Sequence, residues 1–173
     1  MASIARNLRP AVSRLAFTAR ARTSTWRPSP FGLRAFSATR AAFEKKYTKD
    51  HEWVELSDDK KTATIGISEY AAHALGDVVY VELPELELTV SAGDAIGAVE
   101  SVKSASDINS PISCTITAIN SLLEEKPSTI NGGPEDTSSA GGWVAKAEVA
   151  EVGAQDLAGL MDAERYKAFT EEQ

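Results

Sequence analysis

The chain has 173 residues, 43% of them hydrophobic, and a net charge of −7. That length suits one domain with a tail; no run approaches the roughly 20 apolar residues of a membrane span, and a single cysteine, Cys114, excludes an intrachain disulfide and a cysteine-based zinc site. The charge is split: residues 1–40 carry eight arginines and no acid, so +8, and the remainder carries −15, which makes them two different physical objects.

Ile4, Leu8, Val12 and Leu15 follow helical spacing, with Arg6, Arg9 and Arg14 between them. The spacing predicts a short basic amphipathic helix. Ser and Thr are frequent, acids are absent, and Pro10, Pro28 and Pro30 interrupt any continuous fold. Residues 1–43 therefore read as a mitochondrial transit peptide. A basic arm for nucleic acid is the competing reading, but nothing downstream extends such a surface. Arg34–Thr39 resembles a two-step matrix processing site, with trimming after Ala35 and then after Phe43. The folded domain is expected over residues 44–173.

Trp53 with Val54 or Leu56 begins a strand, 57–61 is a polar turn, and Thr62–Ile67 is β-branched and returns as a second strand. Ser68 caps a brief helix over 69–75 that Gly76 stops. Val78–Leu83 is a strand ended by Pro84. Thr89-Val90 leads to a turn at 92–94, and Ala95–Ser101 is the next strand. A short strand at Asp107-Ile108 and a half-buried strand over Ile112–Ile119 follow. Ser121–Lys126 forms one helical turn stopped by Pro127. Residues 131–142 read as a flexible surface loop. Trp143–Val149 is the final strand, with Trp143 as core packing. A short helix at 155–160 and a second over 163–169, capped by Asp162, offer Leu160, Tyr166 and Phe169 for packing. Short strands with turns every eight to twelve residues point to a small β-barrel or sandwich.

Between Lys61 and Lys126 the sequence holds one lysine or arginine, Lys103, against ten carboxylates, with Glu100 and Asp107 framing it. The run Ser101-Val102-Lys103-Ser104-Ala105-Ser106 reads as a hairpin turn. A lysine at a hairpin tip projects into water from a rigid stem, as a swinging prosthetic arm requires, although most lysines are ordinary solvated surface groups. His51 and His73 are far apart and no Cys/His cluster accompanies them, so no metal site is expected. No nucleophile elbow, phosphate loop or dinucleotide glycine pattern is present. The set of nucleophile, base and stabiliser that an autonomous enzyme needs is missing, which leaves a binding or carrier module.

The residues also carry a family resemblance. Tyr47-x-x-Asp50-His51-Glu52-Trp53-Val54, Thr64–Ser68, Leu75–Pro84 and Glu100–Pro111 resemble, in order and spacing, the H proteins of the glycine cleavage system. The resemblance runs from about residue 44 to the end. It implies a mainly β barrel-sandwich hybrid of two small antiparallel sheets with short peripheral helices. It implies lipoic acid attached to Lys103 as an amide by a lipoyl-attaching enzyme. It implies a non-catalytic carrier in the mitochondrial matrix that takes the aminomethyl group of glycine from the P protein to the T protein and is reoxidised by the L protein, with no nucleic acid and no membrane as partner after import. Lipoyl relay to other enzymes is the alternative use of the same arm. Glu52 and Leu75 are implied as walls of a groove for the arm, Glu52 facing an ammonium and Leu75 the dithiolane; the alternative for Glu52 is a solvated strand carboxylate. The chain departs from the family pattern at Cys114 and Glu87, where Gly is common, at Thr115, where an acid is frequent, and in a longer 131–142 loop that lacks the usual Pro-Tyr.

Overall fold

The computed structural model describes residues 44–172; the expected transit peptide lies outside them. Nine strands form two sheets: β1 (Lys45–Tyr47), β2 (Glu52–Leu56), β3 (Thr62–Ile67), β4 (Val78–Glu82), β5 (Thr89–Val90), β6 (Ala95–Ser101), β7 (Ala105–Asn109), β8 (Cys114–Ile119) and β9 (Ala145–Val149). The larger sheet has the order β1-β2-β3-β9-β8-β5 and the smaller β4-β6-β7. All pairings are antiparallel. Five short α-helices lie outside them: α1 (Glu69–Leu75), α2 (Leu122–Glu125), α3 (Thr129–Gly132), α4 (Gly153–Asp156) and α5 (Ala163–Glu171). This is the expected barrel-sandwich architecture.

The core follows from strand alternation. Ala63, Ile65 and Ile67 of β3 face inward, as do Cys114 and Ile116 of β8 and Ala145 and Ala147 of β9. Ile108 on β7 and Val81 on β4 meet them from the smaller sheet. Each fully buried isoleucine contributes about 2–3 kcal/mol of transfer free energy. A second, aromatic cluster lies on the other side of β2, where Tyr47, Trp53, Trp143, Met161 and Tyr166 pack under α5. The indole of Trp53 covers Gly66 so closely that a Cβ there would stand 2.9 Å from the ring. The indole N–H donates to the carbonyls of Ile67 (2.9 Å) and Pro134 (3.2 Å).

Several local readings change. The final strand begins at Ala145 and not at Trp143, and the helix expected at 155–160 is α4 followed by a 3-10 turn over Leu157–Gly159. β1 is a strand that its charged sequence does not announce; it pairs with β2 and exchanges two backbone hydrogen bonds with Met161. β7 spans five residues where two were expected, and β8 begins at Cys114 because Ser110–Ser113 turn the chain first. The 131–142 segment is tied down and not a free loop. Pro134 is buried against Trp53, Gly142 N–H donates to the Gly133 carbonyl (2.8 Å), and Trp143 Nε1 donates to the Ser138 carbonyl (2.9 Å). Its Glu135 carboxylate accepts from Tyr47 Oη (2.8 Å) and from the Glu69 N–H (3.1 Å).

Candidate functional site

Lys103 stands in the turn between β6 and β7, at the tip of the hairpin they form in the smaller sheet. Serine chemistry closes the turn. Ser101 N–H donates to the Ser104 carbonyl at 2.8 Å, and Ser101 Oγ accepts from the N–H groups of Lys103 (3.1 Å) and Ser104 (3.0 Å). One hydroxyl thus satisfies two turn amides that a tight turn leaves without ladder partners. Val102 N–H donates to the Asp77 carbonyl at 3.1 Å, which fastens the tip to the connection between α1 and β4. Residues 102–107 are all exposed, and Val102 is an exposed large hydrophobic.

The lysine side chain lies over Gly76, the C-cap of α1, which has φ 77°. A Cβ at Gly76 would stand 3.0 Å from Lys103 Nζ and 3.1 Å from its Cε. Glycine here serves two ends: it adopts a positive-φ conformation that L side chains rarely take, and it leaves room for the alkyl chain. Among the described residues no carboxylate pairs with Lys103. Glu100 and Asp107, its neighbours in sequence, stand opposite Ala105 and Ala98 in the ladder.

The two expected groove residues flank this hairpin, but both are sealed. Leu75 is 8% exposed and belongs to the main core, directly before the glycine that Lys103 covers. Glu52 is 1% exposed, which overturns the alternative of a solvated carboxylate. Its Oε1 accepts from the N–H (3.0 Å) and Nδ2 (3.1 Å) of Asn109, the last residue of β7. Its Oε2 accepts from Thr48 Oγ1. Neither residue presents a free face to an arm in this state. They are brought near the hairpin, one beneath its tip and one beneath its base.

A cleft of about 550 Å³ that Gly76 also lines opens between α1 and residues 131–136. Carboxylates of Glu69, Asp77, Glu135 and Asp136 line it, and neither Glu52 nor Leu75 does. Asn131 braces it, donating from Nδ2 to the Gly76 carbonyl (2.7 Å) and accepting at Oδ1 from Val78 N–H (3.0 Å). Sequence reasoning missed this brace; Asn-Gly-Gly-Pro carried only a turn signal. The histidines do not meet: His51 Nδ1 lies 2.8 Å from Tyr166 Oη, while His73 is exposed on α1. No group of three or more metal-ligating side chains occurs among the described residues. Cys114 is fully buried, and burial pushes its thiol up, as expected of inert packing.

Comparison with known proteins gives one answer from three directions. The family model for the glycine cleavage H-protein matches residues 45–173. The glycine cleavage system H protein of Phenylobacterium zucineum is 50% identical over 124 residues, covering 72% of this chain and 96% of the relative. Glycine cleavage system H protein 2, mitochondrial, of Arabidopsis thaliana is 44% identical over 128 residues, covering 74% and 77%. Among solved structures, a glycine cleavage system H protein from Mycobacterium marinum superposes with a TM-score of 0.62 at 35% identity, covering 73% of this chain and 95% of that one. With the hairpin motif, the two-sheet fold and these matches in agreement, the chain belongs to the glycine cleavage H-protein family.

Proposed function

We propose that Lys103 bears lipoic acid as an amide and that the chain is the lipoyl carrier of the glycine cleavage system in the mitochondrial matrix. The observation that carries this reading is a lysine with no ion-pair partner among the described residues, on a serine-closed, exposed hairpin tip. When attached, the lipoyl group supplies a reversible disulfide–dithiol that takes up and hands on a one-carbon unit.

The chain's own residues supply presentation. Ser101 fixes the turn, Asp77 anchors it through its carbonyl, and Gly76 gives the lysine stem a smooth bed. Acylation removes the lysine's charge, so Lys103 acts as an anchor and not as a cation. The groove role expected of Glu52 and Leu75 requires the arm to open contacts that are closed here; Glu52 would exchange Asn109 and Thr48 for an ammonium, a charge-assisted bond of comparable strength. The chain is non-catalytic in this reading, since the chemistry belongs to the P, T and L proteins. The strongly acidic folded part suits brief, salt-sensitive docking on basic surfaces of these partners.

Reconstitution tests this. Lipoylated chain added to purified P, T and L proteins is expected to support glycine-dependent bicarbonate exchange, and Lys103→Arg to support none. Lipoylated chain that supports no exchange would turn the reading toward relay of lipoate to other enzymes.

A further inference from the structure

We infer that Glu52 is a positioning residue for Lys103: its buried carboxylate anchors the outgoing strand of the hairpin to the larger sheet and sets where the lysine is presented. This rests on Lys103 as the modified residue.

The hairpin needs such an anchor. β7 lies at the edge of a three-stranded sheet, and its first three residues are exposed. Only its last two residues reach the body of the protein: Ile108, fully buried in the core, and Asn109. The β6–β7 register shifts between Ala95 and Gly97, opposite Asn109 and Ile108. At that irregular point the Asn109 N–H goes to Glu52 Oε1 at 3.0 Å, and the Asn109 amide side chain adds a second bond to the same oxygen at 3.1 Å. Without Glu52, a strand base would keep an unanswered backbone N–H beside the core.

Glu52 is itself aimed by a tight turn. Thr48 N–H donates to the Glu52 carbonyl (2.9 Å), Glu52 N–H donates to Thr48 Oγ1 (3.0 Å), and that hydroxyl reaches the carboxylate. His51, just before Glu52, takes φ 75°. It is held there by Ser68 N–H, which donates to its carbonyl (2.8 Å), and by Tyr166 Oη at its ring (2.8 Å). The contacts run from α5 through His51 and Glu52 to Asn109 at the hairpin base. No cation lies within ion-pair distance of Glu52 among the described residues. The carboxylate is answered by N–H and O–H donors alone, so its geometry is directional.

The test uses the full-length, unmodified chain as acceptor for a lipoate–protein ligase supplied with lipoate and ATP. In that step the Lys103 ε-amine attacks the acyl carbon of lipoyl-adenylate, the amide bond forms, the acyl–phosphate bond breaks, and AMP and the amine proton leave. Glu52→Ala is expected to lower kcat/KM about tenfold, carried by the acceptor KM, because a displaced tip costs productive encounters. Glu52→Gln, which keeps an acceptor for Asn109, is expected to recover to within about threefold of the unaltered chain. Ile116→Val in β8 is the control for general destabilisation and is expected to leave KM unchanged. Amide exchange is read in parallel: in Glu52→Ala the amides of residues 101–109 are expected to exchange about tenfold faster while β8 keeps its protection.

Unchanged kcat/KM in Glu52→Ala overturns the inference, as does an equal loss in Ile116→Val. If the unaltered chain accepts no lipoate, the carrier reading falls, and the exchange data decide the brace: hairpin-confined loosening upholds it, and uniform or absent loosening overturns it.

Discussion

Tyr47 shows how a single side chain couples the aromatic cluster to the rest of the fold. Burial pushes its hydroxyl well above the usual tyrosine range, and its hydrogen bond to the Glu135 carboxylate adds to the effect. Tyr166, stacked on it at 4.3 Å, is pushed up by burial too. The folded chain therefore keeps these protons to higher pH than the unfolded chain. Unfolded tyrosine releases its proton first as pH passes the ordinary value of 10.0, so stability falls with rising pH from there. Urea unfolding between about pH 9 and about pH 11 is expected to show a steep loss for the unaltered chain and a shallower one for Tyr47→Phe. Equal slopes would mean that the Tyr47 hydroxyl is not linked to folding. At this scale the sequence was informative where the backbone dictates the residue. Glu87, at a position where the family commonly has Gly, takes φ 62°, a left-handed conformation that glycine adopts without strain. Glu52 was less legible: its buried state depends on Asn109, 57 residues away, and nothing local marks it.

Elements whose structure rests on their own residues were readable. Ser68 accepts from Ala71 N–H and Asp162 from Arg165 N–H, each capping the helix expected of it. The hairpin turn is closed by serines inside the turn itself. Elements made by distant partners were not readable. β1 exists because β2 and Met161 offer it hydrogen bonds, and the 131–142 segment is ordered by Trp53, Tyr47 and Lys45. The contact between Trp53 and Gly66 joins β2 and β3 in the same non-local way. Gly66→Ala would force the indole to move, since the new methyl would stand 2.9 Å from it. A loss of about 1–3 kcal/mol in unfolding free energy is expected by urea titration. An unchanged midpoint would show that the ring has room to yield.

For the whole molecule, strand content and two-sheet architecture were legible from alternation and turn spacing, but strand order was not. β9 lies between β3 and β8, and no periodicity tells a C-terminal strand to insert there. That insertion joins β3 to β8 in the larger sheet and leaves the β6–β7 hairpin, in the smaller sheet, to carry the exposed tip. A carrier has to keep its attachment point accessible while its body stays rigid, and this division of the sheets provides both. In the proposed function, Lys103 is the lipoyl anchor. Intact mass with peptide mapping of the chain recovered from mitochondria tests it most directly. The expected result is one lipoyl increment, located on Lys103 and absent from Lys103→Arg; a chain without the increment, or with it on another lysine, would contradict the account.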